Sequence, residues 1–413
     1  MNNWSVNLFM ERIKWMLSIV IVALVGCNTE QEANQSDRDL SSADWEEIVS
    51  EAEGTEVGIY MWGGDDGTNQ YIDDYVTPTL KEEYDITLNR YPMDAPDFLS
   101  KLMTEKQADQ DKGTADILWI NGENFRNAKN NQLLYGDFAS NLPHMDEYIG
   151  EEAPFVHMDM GTEIDGHQVP WGNVQFAFQY NKEMVDGNPP TSMEELIQWS
   201  MDNPGQFTYP NVNDFTGNGF LRHLLYDVAD DPTELETFDE GWLDENADEI
   251  WETLNAFKDS LWRDGQTYPE SLSQLDQLYA NGELAFTMGF NEHRAESLVE
   301  EGIFPESTET IVLEPGSISN SHYLSIPFNS PEPAGAMVAI NFMISPEAQI
   351  KKLDPSMWGE GTVLDTSRLT SEQTDEMETY IGPSVIEQDD ILAELDADYH
   401  DWIQENWERE VVQ

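Results

Sequence analysis

Hydrophobic positions in the first part of the chain follow two different spacings in turn. Residues 44–53 place apolar side chains at helical spacing, whereas residues 57–61 carry them at every second position, as a strand does. A helical period returns in residues 71–80, and residues 86–88 alternate again. This strand, helix, strand order predicts two parallel strands joined by a right-handed crossover.

The same rhythm continues further along the chain. Residues 95–110 and 124–134 have helical periods, and the run 115–120 between them, apolar except for Asp116, is typical of a buried parallel strand. These elements predict a first α/β lobe. A long extended run over residues 174–180 breaks the rhythm, and we expect this strand to cross between lobes.

A second α/β set follows, beginning with a helix after Thr191, which together with Glu194 has the spacing of a capping box. Pro346 stands at the favoured first position of a later helix. The remaining predicted elements are strands at 207–209, 283–290, 311–313 and 322–326, and helices at 216–228, 247–264, 271–280 and 334–344.

Composition narrows the functional classes. The 413 residues include 82 acidic and 19 basic side chains, a net charge of -63, so binding to nucleic acid or to an anionic membrane surface is disfavoured. One cysteine excludes a disulfide framework. With 39% hydrophobic residues and 13 Trp, the chain nevertheless has enough apolar surface to fold, and its length predicts about two domains.

The acidic residues are spread over the chain, which favours a halophilic protein, because concentrated salt screens repulsion between like charges. The alternative is an acidic surface that recruits cationic ligands or basic proteins. Such a surface would be clustered, and only residues 227–248 approach that description.

The N-terminus has the pattern of an export signal. Arg12 and Lys14 precede an apolar run at 15–26, which is too short for a permanent membrane helix. The run ends in LVGC, which resembles the lipobox of bacterial lipoproteins and assigns lipidation to Cys27; the alternative is a buried Cys in an ordinary N-terminal helix. Residues 28–43 are polar and predict a flexible tether, so we expect an exported, lipid-anchored protein.

Motifs for catalysis and cofactors are missing from the sequence. The seven His residues form no HExxH pair, and neither a nucleophile elbow, a phosphate-binding P-loop nor a complete dinucleotide fingerprint occurs. We therefore expect no catalytic residues, no metal site and no cofactor.

Glycine, asparagine and aromatic residues stand where predicted strands end, which is where α/β proteins bind ligands. Glycines allow close approach of the backbone, helix N-termini bind anionic groups, and Trp or Phe faces stack on a flat or apolar one. Each loop could also be a turn beside core aromatics, and Trp119 is assigned to the core. The candidate ligand-binding residues are Trp62, Gly63, Gly64, Asp65, Asn121, Glu123, Asn124, Trp171, Phe215 and Thr216.

A second group of candidates could as easily hold the lobes together or fill the core. It consists of Asn291, Asn320, His322 and Trp358. Across both groups the cues to the ligand conflict. Aromatic walls suit a flat heterocycle or a sugar, an acidic rim suits a cation, and a glycine turn at a helix start suits an oxyanion.

Several motifs resemble the solute-binding proteins of ABC importers, in particular the YnjB-like group, over about residues 45–365. They are MWGGDDGTNQYID at 61–73, DILWINGENF at 116–125, PWG at 170–172, NPGQFTYPNVNDFTGNGFL at 203–221, GELAFTMGFN near 281, NSHYLSIPFN at 320–329 and SPEAQIKKLDPSMWG at 345–359.

This resemblance implies a type II periplasmic-binding-protein fold, in which two α/β lobes are joined by extended crossover segments. Lobe 1 would comprise residues 44–170 and 310–345, and lobe 2 residues 171–309 and 346–413. It also implies a monomer that closes on a small solute and catalyses no reaction. The loaded protein would then dock on an ABC permease, which an ATPase subunit drives.

Two other functions stay open. A surface-anchored carbohydrate hydrolase would need a pair of carboxylates, for which Asp65 and Glu123 are the candidates. A binding protein that feeds a sensor would differ from a transport protein only in its partner.

Overall fold

The computed structural model describes residues 40, 43–150, 153–229, 231–235, 237–380 and 391–412. The predicted signal peptide, Cys27 and most of the predicted tether lie outside these residues. Within the described part of the chain, none of the helices has the length and apolar character needed to cross a membrane.

The described strands form one large mixed sheet and one small hairpin. The sheet has the order β2-β1-β3-β9-β6-β7, with β8 paired to β6 and β10 paired to β9, while β4 and β5 pair with each other. The strands are β1 (Glu56–Met61), β2 (Thr87–Pro92), β3 (Ile117–Trp119), β4 (Met158–Asp159), β5 (Thr162–Glu163), β6 (Gln168–Asn181), β7 (Phe286–Phe290), β8 (Thr308–Ile311), β9 (Ser317–Ser325) and β10 (Ile391–Leu392).

Helices cover the sheet and extend beyond it. Short 3-10 and π turns continue several of them, including the π turn Tyr71–Val76 between α2 and α3. The helices are α1 (Trp45–Ala52), α2 (Asp66–Gln70), α3 (Thr77–Tyr84), α4 (Ala95–Gln107), α5 (Gly122–Asn130), α6 (Met193–Asp202), α7 (Phe215–Val228), α8 (Glu240–Phe257), α9 (Leu272–Ala280), α10 (Arg294–Glu300), α11 (Pro333–Met343), α12 (Pro346–Lys352), α13 (Ser371–Met377) and α14 (Ala397–Trp407).

The first α/β unit forms as its hydrophobic periods predict. β1 pairs in parallel with both β2 and β3, which requires the crossover connections through α2, α3 and α4. Ile117 of β3 packs into one hydrophobic cluster and the next residue, Leu118, into another. Both faces of this strand are therefore buried, which explains its continuous apolar run.

Two large hydrophobic cores divide the described residues. Core 1 contains β1 and α11, which is apolar except for Asn341, with Ile59 and Ile340 among its buried members. Core 2 lies around α7, α8 and β7 and includes Leu224, Trp251 and Phe286. Each core has its own helices and strands, as expected of two α/β lobes.

The long strands β6 and β9, here called the crossing strands, run from one core to the other. On β6, Val169 belongs to core 1 and Phe178 to core 2. On β9, Leu324 belongs to core 1 and Ile318 to core 2, and the two strands are antiparallel neighbours. The run predicted at 174–180 is thus part of a longer strand that joins both cores.

Some predictions from the sequence differ from the structure. Residues 207–209 form no strand, because the backbone here makes single hydrogen bonds to two different segments. Trp262 N donates to Phe207 O, and Ala285 N donates to the carbonyl of the preceding residue, Gln206. The helix predicted at 247–264 begins earlier, at Glu240, where the side chain of Asp239 caps it. The acidic stretch 227–248 therefore includes the first half of α8.

The segment after Pro346 packs against core 1. Ala348, Trp358 and Val363 are buried there, although the predicted boundaries place residues 346–413 in lobe 2. By contrast, Tyr399 of α14 is buried in core 2. The lobe boundaries stay a prediction, and this packing favours assigning α12 and the loop after it to lobe 1.

Candidate functional site

Polar side chains occupy the part of the crossing strands that lies between the two cores. The Asn173 side chain on β6 donates from Nδ2 to Ser319 Oγ at 3.0 Å and to Ser321 Oγ at 2.9 Å on β9. Gln175 Nε2 donates to Asn173 Oδ1 at 3.1 Å. These residues share one face, because the register places Asn173 opposite Ser321. We call residues 172–175 and 319–323 the crossing segment.

A cluster of tryptophans packs at the core 1 end of the crossing segment. The ring centroids of Trp171 lie 5.3 Å from Trp119 and 5.1 Å from Trp358, and His322 lies 4.9 Å from Trp119. Trp171 is fully buried, so its ring supports the cluster from inside. Trp119, assigned to the core from the sequence, is half-buried at the cluster edge, and Trp358 is buried.

A buried lysine and a buried glutamate lie next to this cluster, and nothing in the sequence pattern predicted them. Lys352 is fully buried and donates from Nζ to the Trp171 carbonyl. Burial lowers the pKa of Lys352 to about 8, and the nearby Glu360 carboxylate opposes that shift. Glu360 Oε1 in turn lies 2.6 Å from His322 Nδ1. His322 is therefore tied to a charge network as well as to the aromatic rings.

The loop after β1 places Trp62 on the surface, with 48% of its area exposed. Gly64 lies under this ring, since a Cβ there would come within 2.4 Å of Trp62 Cζ2. Asp65 caps α2, where its Oδ1 accepts from Thr68 N at 2.7 Å and from the Thr68 hydroxyl at 2.8 Å. Gly63 O accepts from a side chain of the same helix. Asp65 thus positions the loop that presents Trp62.

The start of α5 already holds a carboxylate of the protein. Gly122 N donates to both oxygens of Asp159 at 2.9 Å, and Gln168 Nε2 donates to Asp159 at 2.8 Å. Burial raises the pKa of Asp159 to about 7. The N–H group at this glycine turn therefore already has its acceptor within the chain, the carboxyl group of Asp159.

The predicted residues around this turn lie beside the crossing segment. Asn121 Nδ2 donates to the Ser321 carbonyl at 3.2 Å. Glu123 Oε1 accepts from Asn127 of its own helix at 2.9 Å, and Asn124 is half-buried next to it. Like Asp65, Glu123 already accepts a hydrogen bond from its own helix, which disfavours their use as a catalytic pair.

The start of α7 presents Phe215, which is 37% exposed, over a well-capped helix. Asp214 caps the helix by accepting from Thr216 N at 2.9 Å, and its other oxygen accepts from Leu272 N at 3.1 Å. Thr216 is buried behind Phe215. Asn291, in the loop after β7, donates to Gly359 O at 2.8 Å and so joins two loops rather than pointing freely outward.

Beneath Phe215 lies a second buried cation, which sequence reasoning also missed. Arg222 is fully buried, and its Cζ lies 4.8 Å from the ring centre of Phe215 and 5.6 Å from that of Phe290. Burial lowers the pKa of Arg222 to about 10, and the Glu394 carboxylate opposes that shift. Glu394 Oε1 accepts from Asn320 Nδ2 at 2.6 Å. This contact connects the cation to the crossing segment.

Three ligand-type side chains meet where α5 faces α14. One atom each of Glu123, His400 and Asp401 lie within 4.8 Å of one another, a spacing that could hold a cation. However, Arg126 donates to Asp401 at 2.9 Å and also pairs with Asp398. This arginine joins the two helices by ion pairs and places a positive charge beside the group.

Comparison with known proteins identifies the family. Residues 75–380 match the model for bacterial extracellular solute-binding proteins. The chain belongs to this family of solute-binding proteins. It is also similar to Protein YnjB of Escherichia coli strain K12, with 34% identity over 369 residues that cover 89% of this chain and 93% of that protein.

Solved structures of solute-binding proteins share the fold. An ABC transporter substrate-binding protein from Bradyrhizobium japonicum has a TM-score of 0.63 at 14% identity, covering 86% of this chain and 99% of that one. An ABC transporter protein from Clostridium perfringens has a TM-score of 0.60 at 16% identity, covering 86% and 98%. The two-lobed α/β fold expected from the resemblance is confirmed.

Family and fold together support a solute-binding protein that delivers its solute to an ABC importer. The family also implies export to the extracytoplasmic side of the membrane. Its homologues are solute-binding proteins and not enzymes.

Proposed function

We propose that this solute-binding protein captures a small solute beside the crossing segment, where its two lobes meet, and then hands it to an ABC permease driven by an ATPase. The observation that carries this proposal is the course of the crossing strands, which are apolar where they enter each core and polar between the cores. A segment that joins two separately packed lobes allows them to rotate about it when a ligand binds.

The exposed aromatic rings would form the walls of the site. We assign this role to Trp62 and Phe215, which are the exposed aromatic members of the predicted set. Asn121 and His322 would supply polar contacts, since both lie at the crossing segment. Asp65 would act by positioning Trp62.

The other predicted residues would support the site from behind. Trp171, Trp358 and Thr216 are buried, Asn320 is held by Glu394, and Asn291 joins two loops. We propose that they keep the walls in place. Gly63, Gly64, Glu123 and Asn124 would shape the loops that carry Trp62 and Asn121.

The cellular setting follows from the N-terminal pattern. We propose that Cys27 carries a lipid and that residues 28–43 tether a monomeric binding domain, which catalyses nothing, to the outer face of the membrane. The dispersed acidic residues support an environment of concentrated salt.

A thermal-shift screen tests the binding function. Residues 40–413 form one compact unit, and we would screen them in concentrated salt against vitamins, oligosaccharides, polyamines, organic acids and metal ions. A solute at about 100 times its Kd should stabilise the fold by about 2.7 kcal/mol. Chromatography should recover the solute unchanged; its breakdown would instead support an enzyme.

Matched variants test the site. Trp62→Ala and Phe215→Ala should weaken binding of the solute identified in the screen. Met201→Ala removes an apolar side chain of α6 that is as exposed as Trp62 and is not among the predicted ligand-binding residues, so it should leave binding unchanged. Equal affinities in all three variants would contradict the placement of the site.

A further inference from the structure

The guanidinium of Arg222 has no hydrogen-bond acceptor in the described part of the chain. The residue is fully buried on α7, and its Nε, Nη1 and Nη2 are all without a partner. A guanidinium offers five N–H donors, and a buried charge without acceptors is strongly unfavourable. The fold alone therefore leaves this charge uncompensated.

The aromatic neighbours do not satisfy these donors. Phe215 and Phe290 lie over the guanidinium at 4.8 Å and 5.6 Å, measured from Cζ to each ring centre. A cation over a ring is attracted through the face of the ring. The N–H groups in the plane of the guanidinium stay available to a planar anion.

The nearby ionisable groups do not supply a full counter-charge either. Burial, together with the Asp159 carboxylate, raises the pKa of Glu394, which favours its neutral form and weakens it as a counter-charge. Its Oε1 is occupied by Asn320. Burial and the charge of Arg222 lower the pKa of His400 to about 4, so the imidazole is neutral.

Arg222 is covered from the solvent side by a residue of the candidate site. Phe215 stands at the N-terminus of α7, partly exposed, with Arg222 buried below it. Gly219 lets the second ring pack closely, because a Cβ there would lie 2.9 Å from Phe290. Access of a ligand to the guanidinium would therefore require the Phe215 ring to move aside.

We propose that Arg222 binds an anionic group of the transported solute, a carboxylate or a phosphate attached to a flat or apolar body. The fork of the guanidinium matches the two oxygens of such a group, and the rings of Phe215 and Phe290 suit the body next to it. This inference rests on the proposed function and names its solute class. It selects an oxyanion from among the conflicting cues of the sequence.

The test compares wild type with Arg222→Met and Arg222→Lys, all as residues 40–413 in concentrated salt. Arg263→Gln is the matched control, because this arginine also stacks on an aromatic ring, at 4.0 Å from Trp262, but is exposed on another part of core 2. The probes are acetate, inorganic phosphate, benzoate, phenyl phosphate and the neutral benzamide. Thermal shift and tryptophan fluorescence report binding, and ligand-free melting is recorded for every variant.

We expect at least one acidic probe to stabilise wild type and Arg263→Gln in a saturable way, with benzamide inactive. Arg222→Met should weaken that binding by about 10- to 100-fold, as expected for losing hydrogen bonds to a charged group, and Arg222→Lys should weaken it less. Without ligand, Arg222→Met should melt at the same temperature as wild type or higher, because it removes an uncompensated charge.

Four results with these probes and variants would overturn the inference. They are marked destabilisation of ligand-free Arg222→Met, which would show a structural role; acid binding that does not depend on Arg222; stabilisation by chloride alone, which would show a free-anion site; and no response to any acid. A neutral or cationic solute that binds wild type and Arg222→Met equally would refute this inference and leave the proposed function intact. Failure of every solute in the wider screen would count against both.

Discussion

Gly172 offers a sharp test of how tightly the crossing segment is packed. It lies on β6 opposite His322 of β9. A Cβ at this position would come within 2.7 Å of Glu360 Oε1, 3.2 Å of Lys352 Nζ and 3.3 Å of His322 Nδ1. The backbone there is accessible to an L-residue, so the cost of Gly172→Ala should come from these contacts and not from strain in φ.

The size of the effect follows from the distances. The distance from the added Cβ to Glu360 Oε1 would be about 0.7 Å shorter than an ordinary van der Waals contact of 3.4 Å. Glu360 and Lys352 are both buried and cannot turn into solvent. Overpacking of this kind destabilises the folded state by about 1–3 kcal/mol. Replacing Gly by Ala also lowers the conformational entropy of the unfolded chain, which offsets about 0.4–1 kcal/mol of that loss. We expect a net loss of about 1–2 kcal/mol.

Urea unfolding in concentrated salt, followed by tryptophan fluorescence, measures this loss. Gly289→Ala is the control, because Gly289 lies in β7 of the same sheet and its Cβ would meet only the Arg294 side chain, at 3.4 Å or more. That variant should stay within about 0.5 kcal/mol of wild type. Equal urea midpoints for Gly172→Ala and Gly289→Ala would refute the view that the charge network is rigid.

Three further predictions concern pH, capping and salt. Burial raises the pKa of Asp159 from an ordinary value of 3.8 to about 7 in the folded protein. The folded state therefore binds this proton more tightly than the unfolded state, and stability should fall as pH rises from about 4 to 7. In Asp159→Asn, the thermal midpoint should change less over this pH range. Asp214→Ala should cost about 1–2 kcal/mol in urea unfolding, since the carboxylate caps α7 and binds Leu272 N, and an unchanged midpoint would contradict this. Arg126→Gln, which breaks the ion pairs to Asp398 and Asp401, should cost about 1 kcal/mol in low salt and less in high salt. A larger loss in high salt would argue for a packing role.

Much of the fold could be predicted because its signals are local. The helical period across residues 71–80 is found in the π turn and in α3, which follow one another directly, and Pro78 lies just after the π turn. The apolar run at 115–120 marks a strand with both faces buried. Residues 207–209 have the same apolar character but no partner strand, and sequence alone cannot show where a partner lies.

The site was harder to predict, because its contacts join distant residues. The glycine turn at Gly122 has the pattern of an anion site, yet Asp159, 37 residues later, accepts that N–H group. Lys352 and Glu360 give no motif, since a helical Lys and a loop Glu are usually exposed. Arg222 could have been found from the sequence, because it lies within the run FLRHLL of a predicted helix. The apolar residues around it indicate a helix that is buried on most sides, and so a buried charge.

The two fully buried cations have different partners, and this difference predicts how salt affects binding. Lys352 has the Glu360 carboxylate nearby, whereas the carboxyl near Arg222 is that of Glu394, whose pKa is raised by burial. A solute anion that approaches Arg222 must also come close to a protein of net charge -63. Long-range repulsion opposes this approach and is screened over a few ångströms in molar salt. Affinity for an acidic solute should therefore rise as an inert salt is added, and an affinity that falls steadily with salt would place the attracting charge at the surface instead of at Arg222.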